Sequence, residues 1–301
     1  MSTFVLAHLS DAHLAPLPKP RLRDLVGKRA LGFINWRRKR RLIHRPEVLA
    51  RIVDDLKASA PDHIAMTGDL VNLALASEFQ PARAWLESLG SAQDVTLVPG
   101  NHDAYVGAAA EYLQTYWGEY MRGDAGGASD AGDTGFPFVR RRGPLALIGL
   151  TSAVPTGPLM ATGALGAEQL RRLAETLDRL GREGAFRVVL IHHPPRSTRA
   201  RYFRRLLDGP ALRDVLARHG ADLLIHGHDH VHSLAWLDGP RGRIPALGVP
   251  SASEVPPGEH EPAGYNLYRI DGGPGAWRCE AISRSLAADG ATIVEVRRKV
   301  L

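Results

Sequence analysis

The feature that most constrains this chain is a recurring join, in which a short apolar, strand-like run stops abruptly in Asp, Asn or His. Phe4–Ser10 leads into Asp11 and His13, His63–Thr67 into Gly68-Asp69, and Val95–Pro99 into Gly100-Asn101-His102-Asp103. Further on, Arg187–His192 runs into His193-Pro194-Pro195, and Asp222–His226 into Gly227-His228-Asp229-His230. Such side chains at the end of an apolar strand cost stability unless they are paired or bind a metal. One join of this kind is an accident; five imply a common destination, and open α/β sheets place their ligand sites at such strand ends.

The segments between these runs carry helical spacing, so the chain reads as βα units in a layered α/β architecture. Pro46 is a good first helical residue, and Leu49, Ile52, Val53 and Leu56 follow until Pro61 ends the pattern. Further helices are predicted at Ser77–Leu89, Ala104–Tyr120 and Gly166–Gly184, the last with Leu170, Leu173, Leu177 and Leu180 on one stripe. Leu145–Thr151 is a further strand. From about residue 231 short strands predominate (Val231–Leu237, Tyr265–Ile270, Trp277–Ile282, Thr292–Val296), giving a β-rich C-terminal part. The Gly123–Gly135 stretch has nothing to bury and reads as a mobile surface loop. At 301 residues the chain is long enough to bury a large core, and we expect one domain over 1–301.

The chemistry is narrowed by what is scarce. Cys279 is the only thiol, which excludes an intramolecular disulfide framework and a thiolate metal cage and fits a reducing compartment. No apolar run approaches the ~18 residues of a membrane span, and no leader-like segment precedes the first strand, so the expectation is an unprocessed, soluble, cytoplasmic protein. What remains is a donor set of imidazole, carboxylate and amide. Two divalent ions ~3.5–4 Å apart need a bridging carboxylate and surrounding N/O ligands. Asp-x-His supplies one of each from a single strand end, because residues two apart share a face. Such ligands suit two divalent or mixed-valence transition ions (Mn, Fe or Zn, with Co also compatible) rather than Cu(I).

At this point the sequence resembles the calcineurin-like metallophosphoesterases. Asp11-x-His13, Gly68-Asp69, Gly100-Asn101-His102-Asp103, His192 and Gly227-His228-x-His230 match that family's five motifs in order, between residues 9 and 230. The resemblance implies a four-layer αββα sandwich, two mixed β-sheets flanked by helices, with a dinuclear centre on its loops. By that pattern Asp11, His13, Asp69 and His230 would hold the first ion, and Asp69, Asn101, His192 and His228 the second, with Asp69 bridging. His102 would be the catalytic group beside the phosphate. The implied function is cleavage of a phosphodiester or pyrophosphate bond by metal-activated hydroxide, on a small or cyclic diester or a lipid-linked substrate. The choice of His192 over His193 rests on the resemblance; His193, His226 and His232 read as neighbours of the site. His8, His44, His63, His219 and His260 read as ordinary core or surface histidines.

One departure from a minimal spacing is an excursion at about 14–45, directly after His13, which separates Asp11 from Asp69 by 58 residues. Between Lys19 and Arg45 lie eleven Lys/Arg and one acid, so an otherwise mildly acidic chain of net charge +6 carries one basic appendage. Leu22, Leu25, Val26, Leu31, Phe33, Ile34 and Trp36 interleave with the charges, although Gly27 and Gly32 are expected to interrupt a continuous helix. The pattern resembles an amphipathic surface for an anionic membrane, peripherally attached through 19–45. Nucleic acid ranks lower because stacking aromatics are few, and a solvated charged face is the plain alternative. A second basic run follows His192, in which Arg196 and Arg199, with Asn101 and His102, are expected to contact substrate; its alternative is a short helix turning Leu206 and Leu207 inward. The competing function is a membrane- or nucleic-acid-binding module with a structural, non-catalytic metal site.

Overall fold

The computed structural model describes residues 3–124, 135–197, 199–255 and 261–301, with the side chains of 199–200 left aside. The anticipated loop at 123–135, together with His260 and the Arg199 side chain, therefore lies almost wholly outside the described residues.

Twelve strands form two six-stranded mixed sheets. The first contains β1 (Phe4–Leu9), β2 (His63–Met66), β3 (Val95–Leu97), β10 (Gly264–Asp271), β11 (Arg278–Leu286) and β12 (Ile293–Val300), in the order β12-β11-β10-β1-β2-β3. β1, β2 and β3 are parallel neighbours, and β10 joins antiparallel to β1. The second contains β4 (Phe138–Arg142), β5 (Leu145–Gly149), β6 (Phe186–Leu190), β7 (Leu223–His226), β8 (Ser233–Gly239) and β9 (Gly242–Gly248), in the order β4-β5-β6-β7-β9-β8. Alternation along the second sheet explains the layering. Leu147, Val188, Leu190 and Ile225 pack toward the first sheet, whereas Ile148, Val189 and Leu224 pack on the helices Ala167–Arg182 and Gly209–His219. Helices Pro46–Ala58 and Ala76–Leu89 cover the first sheet through Ile52, Leu56, Phe79 and Leu86.

The α/β sandwich of two mixed sheets flanked by helices agrees with the reading above, and several local expectations are corrected. Helix does not start at Ala104: residues 101–108 are turns, and regular helix begins at Ala109, because the Asp103 carboxylate ties its own segment to the Gly68 loop instead. Gly32 does not interrupt the insertion, which is helical from Lys28 through Ile43 with a π-helical turn at Trp36–Arg40. Gly32 permits close packing there, since a Cβ would fall 2.5 Å from the Tyr105 hydroxyl and 2.7 Å from Leu73 Cδ2. Leu206 is buried but Leu207 is half-exposed.

β4, β9 and the helix Gly209–His219 escaped prediction. β4 hid behind three arginines, one of which, Arg140, is buried with its guanidinium donating to the carbonyls of Ala92, Val95, Glu119 and Arg122.

Because Leu177 is fully buried between helix and second sheet, Leu177→Ala is expected to destabilise the fold by about 2–5 kcal/mol. Chemical denaturation measures this; an unchanged midpoint would show that the helix contributes no packing.

Candidate metal centre

The parallel strands of the two sheets end at one place. Asp11 and His13 follow β1, Asp69 follows β2, Asn101 and His102 follow β3, His192 follows β6, and His228 and His230 follow β7. Hydrogen bonds across these loops fix their spacing: Asp11 N–H donates to the Gly68 carbonyl (2.9 Å), His13 N–H to that of Asp69 (3.0 Å) and Gly227 N–H to that of His192 (3.1 Å). His228 N–H donates to Asp11 Oδ2 at 2.9 Å and so joins the two sheets at the site itself.

Five of these residues have left-handed backbone although none is glycine: Asp11 (φ 54°), His13 (40°), Asp69 (57°), His228 (69°) and His230 (55°). This conformation is costly for L side chains. The loops that impose it are packed to contact. A Cβ on Gly100 would meet Asp69 Oδ1 at 2.2 Å, and one on Gly227 would meet Asp11 Oδ2 at 2.4 Å.

The side chains converge on two overlapping groups able to hold cations, Asp11/His13/His230 and Asp11/Asp69/His192. Asp11 belongs to both. Asp69 Oδ2 stands between them, 3.8 Å from His13 Nε2 and 3.4 Å from His192 Nε2. Asn101 Oδ1 is 3.2 Å from His192 Nε2, and His228 Nδ1 is 3.2 Å from the same atom. All seven residues proposed from the sequence as ligands are thus brought together.

The imidazoles are anchored from behind. One nitrogen of each faces an outer partner: His13 Nδ1 the Val71 carbonyl, His192 Nδ1 that of Thr67, His228 Nε2 that of Arg204, and His230 Nδ1 the Glu254 carboxylate (2.6 Å). The other nitrogen of His13, His192 and His230 faces the Asp11 or Asp69 carboxylate, and that of His228 faces His192 Nε2. This outward tether is how proteins fix the tautomer and orientation of metal-binding histidine, so the donor set fits a pair of divalent ions. His193 is buried but turned elsewhere, its Nδ1 on Ser152 Oγ (2.7 Å) and its Nε2 near the Ala161 carbonyl (3.1 Å).

Electrostatics point the same way. Burial opposes charge on His192, yet the Asp69 carboxylate raises its pKa to about 10. Burial likewise opposes charge on His230, which Asp11 and Glu254 raise to about 9. Asp69 resists its own burial through His192 and His102 and titrates well below the usual carboxylate range. His13, by burial and then by nearby Arg40, is held neutral. The carboxylates thus favour a positive charge on His192 and His230.

Several contributors were not singled out from the sequence. Asp103, pushed up to about 7 by burial and the Asp69 charge, accepts the backbone N–H groups of Asp69, Leu70, Val71 and Gly100 and so shapes two ligand loops. Glu254 tethers His230, and Ser251 Oγ donates to the Asp11 carbonyl (2.6 Å). His44, expected to be an ordinary histidine, is buried against the His13 ring at 4.6 Å between centroids. Only the Gly100–Asp103 block carried a local signal; the others lie far from any motif. His102 stands beside the cluster, its Nδ1 2.6 Å from the Asn72 carbonyl and its ring stacked on Tyr105. Arg196 is exposed. In the same run Arg204 supports the site's frame, its guanidinium donating to the His228 carbonyl at 3.1 Å.

The family model for calcineurin-like phosphoesterases matches residues 4–232. Over 281 residues the chain is 25% identical to a protein named as a probable cyclic nucleotide phosphodiesterase from Synechococcus sp., covering 92% of this chain and 91% of that one. A dimetal phosphatase from Danio rerio has a similar fold, with TM-score 0.63 at 13% identity over 97% of this chain and 98% of the other. A purple acid phosphatase from yellow lupin (Lupinus luteus) seeds gives 0.58 at 12% identity over 99% of this chain and 53% of its own.

A cation entering this centre has to displace the protons on His192 and His230, whose raised pKa values keep them protonated at neutral pH. Calorimetric titration of the metal-free protein with Mn2+ at pH 7.5 is expected to release about two protons, with affinity rising as pH approaches 9 to 10. A binding enthalpy independent of buffer ionisation would contradict this. The sign is the same for stability: the contribution of these two histidines to the metal-free fold is complete below their ordinary value near 6.5 and is lost as pH rises through about 9 to 10. Glu254→Ala, which removes the tether of His230, is expected to weaken metal binding by roughly 10–100-fold.

Proposed function

This chain belongs to the calcineurin-like phosphoesterase family and is a metallophosphoesterase with a dinuclear metal site, and we propose that it cleaves a phosphodiester or pyrophosphate bond. In this reading Asp11, His13, Asp69 and His230 would hold one ion, and Asp69, Asn101, His192 and His228 the other. The observation that carries it is the set of four back-tethered imidazoles clustered with two buried carboxylates. When bound, the ions supply Lewis acidity and lower the pKa of a coordinated water toward neutrality. The protein orients and supports. Asp103 and the left-handed loops hold the donors in place, and His102, oriented by Nδ1 on the Asn72 carbonyl and with Arg40 beside its Nε2, would stand next to the phosphoryl or leaving oxygen. The ions are Mn, Fe or Zn by donor chemistry.

The similarity to a protein named for cyclic nucleotides puts a small cyclic diester first among substrates. A second reading, a substrate presented at an anionic membrane to a peripherally bound cytoplasmic enzyme, is favoured by exposed apolar side chains on the insertion and on two segments near it. Leu22 and Val26 of the insertion are 90% and 72% exposed, Leu159 is 87% exposed, and Tyr202 and Phe203 are exposed too. These three segments are linked: Lys28 Nζ donates to Thr156 Oγ1 (2.6 Å), and Ala161 N–H to the Phe203 carbonyl (2.9 Å). Arg37, Arg38, Lys39 and Arg41 are exposed on the same insertion, so apolar tips and positive charge occur together as anionic lipid requires. Among the described residues no helix is long and apolar enough to cross a membrane.

Activity is tested with Mn- and Zn-loaded protein on monoesters, cyclic nucleotides, glycerophosphodiesters and nucleotide-linked lipids. Hydrolysis of at least one diester or pyrophosphate is expected, and Asp69→Ala should reduce it to the metal-free background; equal activity in that variant would leave the metal site structural. For the membrane, Leu22→Glu combined with Val26→Glu and Leu159→Glu is expected to abolish cosedimentation with phosphatidylglycerol vesicles while sparing hydrolysis of a small chromogenic diester. Salt-sensitive binding to duplex DNA without vesicle binding would favour the nucleic-acid alternative instead.

A further inference from the structure

Of the four consecutive basic residues Arg37, Arg38, Lys39 and Arg40 and the Arg41 that follows them, only Arg40 is not exposed. It closes the π-helical turn Trp36–Arg40, and such turns, with one residue more than an α-turn, recur at functional sites. Its guanidinium enters the metal centre. Nη2 lies 2.7 Å from His13 Nε2, and Nη1 lies 2.7 Å from His102 Nε2. A guanidinium is donor-only, so at His13 it meets the lone pair of Nε2, while at His102 Nη1 lies near both ring nitrogens, 3.1 Å from Nδ1. The nearby Asp69 and Asp11 carboxylates attract it into a place where burial disfavours its charge.

This arrangement cannot persist beside a loaded site. His13 Nε2 is the ring nitrogen turned inward, because Nδ1 faces the Val71 carbonyl, and a nitrogen that binds a cation has no lone pair left for Arg40. The ions would also neutralise Asp69 and Asp11. The Nη2 donors that met His13 would then be released, in a guanidinium that stands beside both His13 and His102. The group that satisfies such a fork is an oxyanion, matched in charge and geometry by the oxygens of a phosphoryl group.

We propose that Arg40, delivered by the 14–45 insertion, binds the non-bridging oxygens of the substrate phosphoryl group. The inference rests on the phosphoesterase reading above. It also gives the insertion a chemical role separate from any contact with lipid.

The test uses the full Mn-loaded chain with inorganic phosphate as probe, and bis(4-nitrophenyl) phosphate as a small diester. Arg40→Ala is expected to weaken phosphate binding, measured by calorimetry, and to lower kcat/KM by roughly 10–100-fold, the range for a lost charge-assisted hydrogen-bond pair. Arg40→Lys should restore part of the loss, because an ammonium keeps the charge without the fork. Exposed Arg38→Ala should match wild type. Mn2+ affinity without phosphate should be equal or higher in Arg40→Ala, since a competing cation has gone. Phosphate affinity unchanged in Arg40→Ala would overturn the proposal, as would a parallel fall in Mn2+ affinity, which marks a structural role. If wild type binds Mn2+ but neither phosphate nor any ester in the panel, the phosphoesterase reading itself fails and takes this inference with it.

Discussion

Mutual repulsion governs this molecule. Asp11, Asp69 and four imidazoles are crowded into a buried volume in which carboxylates repel one another and ring nitrogens present lone pairs to lone pairs. Positive charge is the only remedy compatible with burial. Among this chain's own groups, the Arg40 guanidinium stands there, and the carboxylates raise the pKa values of His192 and His230. Divalent ions supply the same charge with better geometry. A structure that concentrates such groups has accepted a cost in stability for the ability to bind cations.

The two sheets exist, from the viewpoint of the site, to oppose that repulsion. Parallel strands of both sheets stop at one level, and the loops beyond them are bound to each other through backbone groups and through the Asp11 and Asp69 carboxylates, which accept the His228 and His102 N–H groups. Asp103 illustrates the division of labour: its carboxylate is occupied by four backbone N–H groups and shapes the Gly68 and Gly100 loops from behind. Left-handed backbone at five donors is tolerated because these contacts over-determine the loops.

Much of this was legible in the sequence, and the limits are instructive. The apolar runs and their Asp, Asn and His endings located the parallel strands because buried strands write their burial directly into composition. All seven residues read as ligands meet in space. β4 and β9 were missed because charged or Pro/Gly-containing strands next to a buried neighbour draw their stability from pairing, not from their own pattern. Glu254 and His44 were illegible for a different reason. Each acts through a partner distant in sequence, His230 and His13, and no local spacing records that. Arg40 was counted as one charge among eleven, since nothing in a run of basic residues marks the one that a π-helical turn rotates inward. Asp103 lay inside a recognised block but its role needed the backbone atoms it accepts.

The tight glycine contacts divide the surface into two regimes of change. At Gly100 and Gly227 a single added carbon would collide with Asp69 or Asp11, so the hydrolytic centre is closed to drift. Leu22, Val26, Leu159 and Phe203 are exposed, and substitution there meets no such collision with a ligand residue. A lineage built on this scaffold can therefore exchange one phosphorylated compound for another by altering the periphery alone, inheriting its chemistry intact while its diet changes.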